Sequence, residues 1–178
     1  MTGRGMEVIT VHPIVETLLH RYQRELGAQL PTYRNHVYRG MNYHQQLLAG
    51  PVPDFAVLAW AAHDLGIWTA GTFDYLGPSA ELAAAHAEEF GIDNVADVRT
   101  LIVEHHRLRP SHELMAEAFR IADRIDVSRG LLRNGVGRSE IRSVVAELPY
   151  CGFHAFLAKG LSRYAAGHPR RPFPMLRW

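Results

Sequence analysis

The sequence predicts an all-α protein, one domain of about seven or eight helices. Stretches rich in Ala, Leu, Glu and Arg recur at helical spacing along nearly the whole chain. No run of alternating β-branched residues marks a strand. At 178 residues the chain fits one domain, and a chain of that length buries about 68–70% of its unfolded surface, enough for a core without staples.

The helices are expected at about 12–27, 32–49, 53–65, 78–90, 95–108, 112–129, 138–148 and 152–166. Pro78 suits a first helical position, and Gly91 suits the end of the same helix. Asn94 and Ser111 each precede an apolar-periodic run and are read as N-caps. Between these elements, 66–77 is expected as the longest interior loop, carrying Trp68, Phe73 and Tyr75. The Pro- and Arg-rich end, 168–178, cannot be regular helix. A disordered tail is one reading, but its Phe173, Met175, Leu176 and Trp178 imply that it packs back on the body or on a partner; a homodimer stays open.

A formal charge of +1 argues against a polymeric nucleic-acid ligand, which needs a concentrated basic face. Local binding of small polyanions stays open. The longest apolar run, 55–62, is far short of the ~20 residues of a membrane helix, so no membrane association is expected. No signal peptide is read in 1–11. The single cysteine, Cys151, rules out an internal disulfide and suits a reducing cytoplasm. It reads as a small core residue rather than a nucleophile.

Eleven histidines are the unusual count, and their spacing carries the argument about chemistry. An apolar helix runs from Asp54 through Trp60 into His63-Asp64-Leu65-Gly66. Burying Asp64 without a partner costs several kcal/mol, and a metal ion would satisfy it together with His63. A helix-capping His63 beside an arginine-paired Asp64 is the bland alternative. His36 lies about one helix upstream, in Asn35-His36-Val37-Tyr38-Arg39-Gly40. Far downstream, Phe119-Arg120-Ile121-Ala122-Asp123-Arg124-Ile125-Asp126 places carboxylates in another largely apolar helix.

That order of fragments, over 32–129, resembles the HD-domain superfamily of metal-dependent phosphohydrolases. The resemblance implies a metal-binding core at 32–129, preceded by an N-terminal helix in 1–31 and followed by helices and tail in 130–178. It implies one divalent ion on His36, His63, Asp64 and Asp123, with His63 and Asp64 catalytic, and water activated against a nucleotide or small phosphate ester. Carboxylates with imidazoles suit Mn, Fe, Co, Ni or Zn, with Mg also admissible. Periodicity disagrees at one point. The apolar face of helix 112–129 centres on Leu114, Ala118, Ala122 and Ile125, which lies nearer Asp126 than Asp123. Asp123 is preferred because a central helix can be covered on two sides, and Asp126 stays as its rival.

His105, His106 and His86, with Asp126, are candidates for a second metal or for substrate. Helix-end histidines facing the dipole explain His105 and His106 equally well. Arg39 and Arg34 are candidate contacts for a substrate anion, or solvated surface arginines. The Phe73-Asp74-Tyr75 loop followed by Ser79-Ala80-Glu81 is similar to the cyanamide hydratase branch, which implies hydration of a small non-phosphate molecule as the alternative. A di-iron oxygenase and a non-catalytic ligand-binding protein complete the field.

Overall fold

The computed structural model describes residues 7–176, and every element in it is helical. Helix α1 (Pro13–Arg21) begins at His12, whose Nδ1 accepts the Ile14 N–H at 3.3 Å, with Pro13 pre-set for the first turn. The expected helix over 12–27 breaks at Tyr22 into α1, the single turn α2 (Gln23–Leu26) and a 3-10 turn at Gly27–Gln29. Next come α3 (Leu30–Leu48), α4 (Asp54–Ala62), the short α5 (Gly66–Thr69), α6 (Leu76–His86), α7 (Val95–Glu104), α8 (Leu114–Val127), α9 (Arg138–Glu147) and α10 (Phe153–Gly167). Eight of these span nine residues or more among the described residues.

Some expected boundaries move, for local reasons. Pro78 lies in the third position of α6, because that helix starts at Leu76. The stretch 66–77 is not one loop, since α5 and the start of α6 occupy much of it. Asn94 stands at the N-cap of α7 but turns its amide to Asp97 instead of capping. Ser111 is replaced by Glu113 as the N-cap of α8, and its hydroxyl instead accepts the Glu113 N–H at 3.3 Å.

Helix α4 is the axis of the bundle. Residues 56–62 are all buried, so no polar face is left on it, as its unbroken apolar sequence requires. Helices α1, α3, α6 and α7 surround it, and α8 lies along α3. Gly40 permits the closest crossing: a Cβ there would strike the Trp60 ring. Trp60 stacks on Phe119 at 3.9 Å between ring centres and donates its Nε1–H to His44 Nδ1 at 2.9 Å. Burial pushes the His44 imidazole down to about 4, so it sits there neutral.

A continuous apolar core joins α1 to α9, while Ile67, Tyr75, Leu76 and Met175 form a smaller cluster under the C-terminal segment. The tail therefore packs back on the body through Met175; Trp178 and 1–6 lie outside the described residues. No helix among the described residues is long and apolar enough to cross a membrane.

Candidate metal centre

Four helices bring polar side chains into this apolar interior. His36 comes from mid-α3, His63 and Asp64 from the end of α4, His105 and His106 from the end of α7, and Asp123 from α8. All but His106, which is half-buried, are sealed from solvent. Past Ala62 the chain tightens into a turn in which the Leu65 N–H reaches the Ala62 carbonyl at 3.0 Å. That turn lets neighbouring His63 and Asp64 project to one side. Gly66 is required next: a Cβ would lie 2.7 Å from the Tyr75 carbonyl oxygen and 2.9 Å from Ser79 Oγ.

Each central imidazole is anchored through one nitrogen. His36 Nδ1 bonds Asp126 Oδ2 at 2.7 Å, His63 Nδ1 the Trp60 carbonyl at 2.8 Å, and His105 Nδ1 the Ile102 carbonyl at 2.6 Å. Those partners are acceptors, so Nδ1 carries the hydrogen and each Nε2 of a neutral ring presents a bare lone pair inward. For His63 and His105 the capping role and the inward role thus coexist, on different nitrogens of one ring.

The inward atoms converge. His36 Nε2 and His63 Nε2 lie 3.0 Å apart. Asp64 Oδ2 is 3.6 and 3.5 Å from them, and Asp123 Oδ1 is 3.5 and 3.9 Å away. His105 Nε2 stands 3.5 Å from Asp64 Oδ1. Asp64 Oδ1, His105 Nε2 and Asp123 Oδ2 are buried without any hydrogen bond. Three overlapping sets, His36–His63–Asp123, His63–Asp64–His105 and His105–His106–Asp123, each keep their donor atoms within 4.8 Å. Two lone pairs face to face need a proton or a cation between them, and this donor set fits a divalent ion.

Charge and burial divide the titrating groups. Burial alone would lower His36, but hydrogen bonds to Asp126 and Asp64 and the nearby carboxylate charges raise it to about 9. Burial takes His63 down to about 3. Burial also lifts Asp123 to about 6, the neighbouring histidines only partly offsetting it. Asp64 is held well below the usual carboxylate range, burial being outweighed by His63, His105 and His36. Asp126 is likewise held low, its burial overcome by His36 and Arg39.

Asp126 is also buried, yet points away from the convergence. Arg39 clasps it with Nε at 2.6 Å and Nη2 at 2.8 Å, and spends Nη1 on the Leu148 and Pro149 carbonyls. Asp126 thus orients His36 and pairs with Arg39, and it is absent from all three donor sets. Periodicity puts Leu114 at the centre of the apolar face, but as the first residue of α8 it is 71% exposed. Helix α8 is covered by α3 on one side and α7 on the other, so both aspartates are buried.

Other expected residues lie elsewhere. His86 is not with the cluster: its Nε2 meets Tyr22 OH at 2.8 Å and its Nδ1 Arg21 at 2.9 Å, near Glu89. Arg34 pairs with Glu16 at 2.8 Å, and with Arg39 committed to Asp126 neither is free for a substrate anion. Cys151 is exposed in a left-handed turn, φ 49°, so it is not a core residue. Tyr75, which the sequence places in the 66–77 loop and in the Phe73-Asp74-Tyr75 motif without a site role of its own, is buried and bonds its hydroxyl to His106 Nε2 at 2.8 Å. Only its place after His63-Asp64 hinted at this.

A cavity of about 210 Å3 opens beside Asp64 and Asp123, with Tyr75 and His106 completing its polar end. Leu157 and Leu161 of α10, with Phe173, Met175 and Leu176, supply an apolar wall. Comparison with protein-family models, with curated proteins and with solved structures returns no match for this chain.

Proposed function

We propose that the chain is a metal-dependent hydrolase of the HD kind, holding a divalent ion on His36, His63, Asp64 and Asp123. The observation that carries the reading is the opposition of two anchored imidazoles, Nε2 to Nε2 at 3.0 Å, ringed by carboxylates with unpartnered oxygens. A binding module has no need of such a donor set. When bound, the ion supplies a Lewis acid that acidifies water and polarises an electrophilic substrate.

The chain's own groups do the rest. Asp126 and the Trp60 carbonyl fix two ring orientations. His106, hydrogen-bonded to Tyr75 and with Nδ1 3.8 Å from Asp123 Oδ2, stands at the cavity where a proton must move. The apolar lining keeps bulk water away from the reacting centre.

The expected phosphate ester has weaker support than the ion. The cavity lining contains no arginine or lysine among the described residues, whereas phosphate sites draw on such groups. This favours the second reading, hydration or hydrolysis of a small non-phosphate molecule. Metal analysis of the purified protein tests the central claim. One equivalent of Mn, Fe, Co, Ni or Zn is expected, lost in Asp64→Ala with the helical spectrum intact. Unchanged metal content in that variant sinks the assignment. A panel of phosphate esters run against small amides and nitriles then separates the two substrate classes.

A further inference from the structure

Beyond Gly167 the chain turns back over the centre. Segment 168–176 is tied down by Arg171, whose Nη1 lies 3.3 Å from Asp74 Oδ2 and whose Nη2 reaches the Pro174 carbonyl at 3.3 Å. Met175, only 5% exposed, packs with Ile67, Tyr75 and Leu76. With Leu161 of α10 it shares the cavity that reaches Asp64 and Asp123. Phe73 lines the same cavity and lies against α10 at Gly160, where a Cβ would strike its ring.

We propose that this C-terminal strap, through Met175, and α10, through Leu161, select a small neutral substrate with an apolar body. Its polar head would lie at Asp64 and Asp123 and its tail against the strap. The inference rests on reading the buried His/Asp cluster as a metal centre, and it adds the substrate class and the residues that set it.

Three observations converge on it. At about 210 Å3 the cavity is smaller than the ~300–1,000 Å3 that house drug-sized ligands, so a nucleotide does not fit beneath the strap. The lining offers two carboxylates and no arginine or lysine among the described residues, so beyond the ion no side chain there meets the charge of a phosphate dianion. The wall opposite them is aliphatic and aromatic, so it stabilises hydrocarbon and gives a charged tail no partner.

Linear alkyl hydroxamic acids, from acetyl to decanoyl, are suitable probes: the head is uncharged in neutral solution, chelates a divalent ion with release of its N–OH proton to solvent, and carries a tail of adjustable length. They are titrated calorimetrically into the full chain, both loaded with Mn or Zn and metal-free. Affinity is expected to rise about fourfold per added methylene, the fold-change that corresponds to about 0.8 kcal/mol per buried CH2. It should then fall abruptly once the tail meets Met175. Met175→Ala moves that cut-off to longer tails, and Arg171→Ala, which frees the strap, blunts it. Neither variant changes the metal content.

Alkyl phosphates of matching length bind at least tenfold more weakly. A flat series, a cut-off unmoved by Met175→Ala, or phosphates that bind as tightly as hydroxamates would overturn the proposal. A protein that retains no ion but keeps the tail-length dependence sinks the metal reading and leaves the apolar wall standing. A protein that binds the ion with a flat series does the reverse.

Discussion

Asp123 and Asp126 lie one turn apart on α8, both sealed from solvent, and their surroundings are opposite. Asp126 has a guanidinium on one side and an imidazole on the other, and burial does not stop it from being held ionised. Asp123 has no arginine, keeps an unpartnered oxygen, and is raised to about 6. A buried carboxylate survives either by pairing with a side chain or by awaiting something the chain does not supply. The first is architecture. The second is where chemistry is expected, and the contrast can be broken experimentally.

The largest effect should come from the paired side. Asp126→Asn leaves Arg39 buried against a neutral amide and removes the orienting partner of His36. The expected loss is about 3–5 kcal/mol, the usual result of removing one member of a buried ion pair. Urea unfolding of the metal-free protein reads it directly. An Arg39→Met/Asp126→Leu double variant should regain part of the loss, because no charge is then left unpaired. A fully stable Asp126→Asn would mean that the two aspartates do not differ in kind.

Asp123→Asn should do the opposite. Removing a ligand should weaken divalent-ion binding by at least about 100-fold, since even the partners that merely orient ligands account for about 10–100-fold. The metal-free fold should be no less stable than the parent, because the carboxylate removed is one that burial already penalises. Competition with a chromogenic chelator measures the first effect and thermal melting the second. Undiminished ion binding in Asp123→Asn would remove it from the ligand set.

The pH dependence of the metal-free protein is a third, smaller test. His36 is raised from 6.5 to about 9. Its contribution to stability is therefore complete below the unfolded value and lost as pH rises through about 9. His63 and His44 are lowered, so their penalty falls on the acid side of 6.5 and does not enter this window. Between pH 6.5 and 9 the metal-free protein should lose at most about 3 kcal/mol from His36. The same proton occupies the site the ion needs, so ion affinity should climb over that range. Stability that is flat from pH 6.5 to 9.5 would show that His36 is not raised.

Much of this was legible in sequence where a local pattern carried it. The helices follow from periodicity, and Asp54 to Ala62 reads as buried because it has no polar face. The order His36, His63-Asp64, Asp123 picks out residues that the fold brings together from three helices, α3, α4 and α8. What was not legible depends on partners distant in sequence. Arg39 meets Asp126 at a separation of 87 residues, and Tyr75 meets His106 at 31. Helical periodicity assumes one buried face; α8, covered on two sides, defeats it at Asp123, and Leu114, the first residue of α8, is exposed. The wall built by Met175 was visible only as a tail with apolar residues in it.

His86 gives the comparison its smallest and most discriminating control. Like His105 it ends a helix, and the sequence ranks it lower only because its helix is alanine-rich and solvated on one side, whereas His105 shares a face with Val98, Leu101 and Ile102. The fold separates them: both ring nitrogens of His86 are spent on Tyr22 and Arg21, whereas His105 keeps a buried, unpartnered Nε2 near Asp64. His86→Ala should cost less than about 1 kcal/mol, since the cluster it leaves is a surface one, and metal stoichiometry should not change. His105→Ala should weaken ion binding while the helical spectrum is retained. If the two variants behave alike towards the ion, an unpartnered ring nitrogen is not what marks a ligand in this protein.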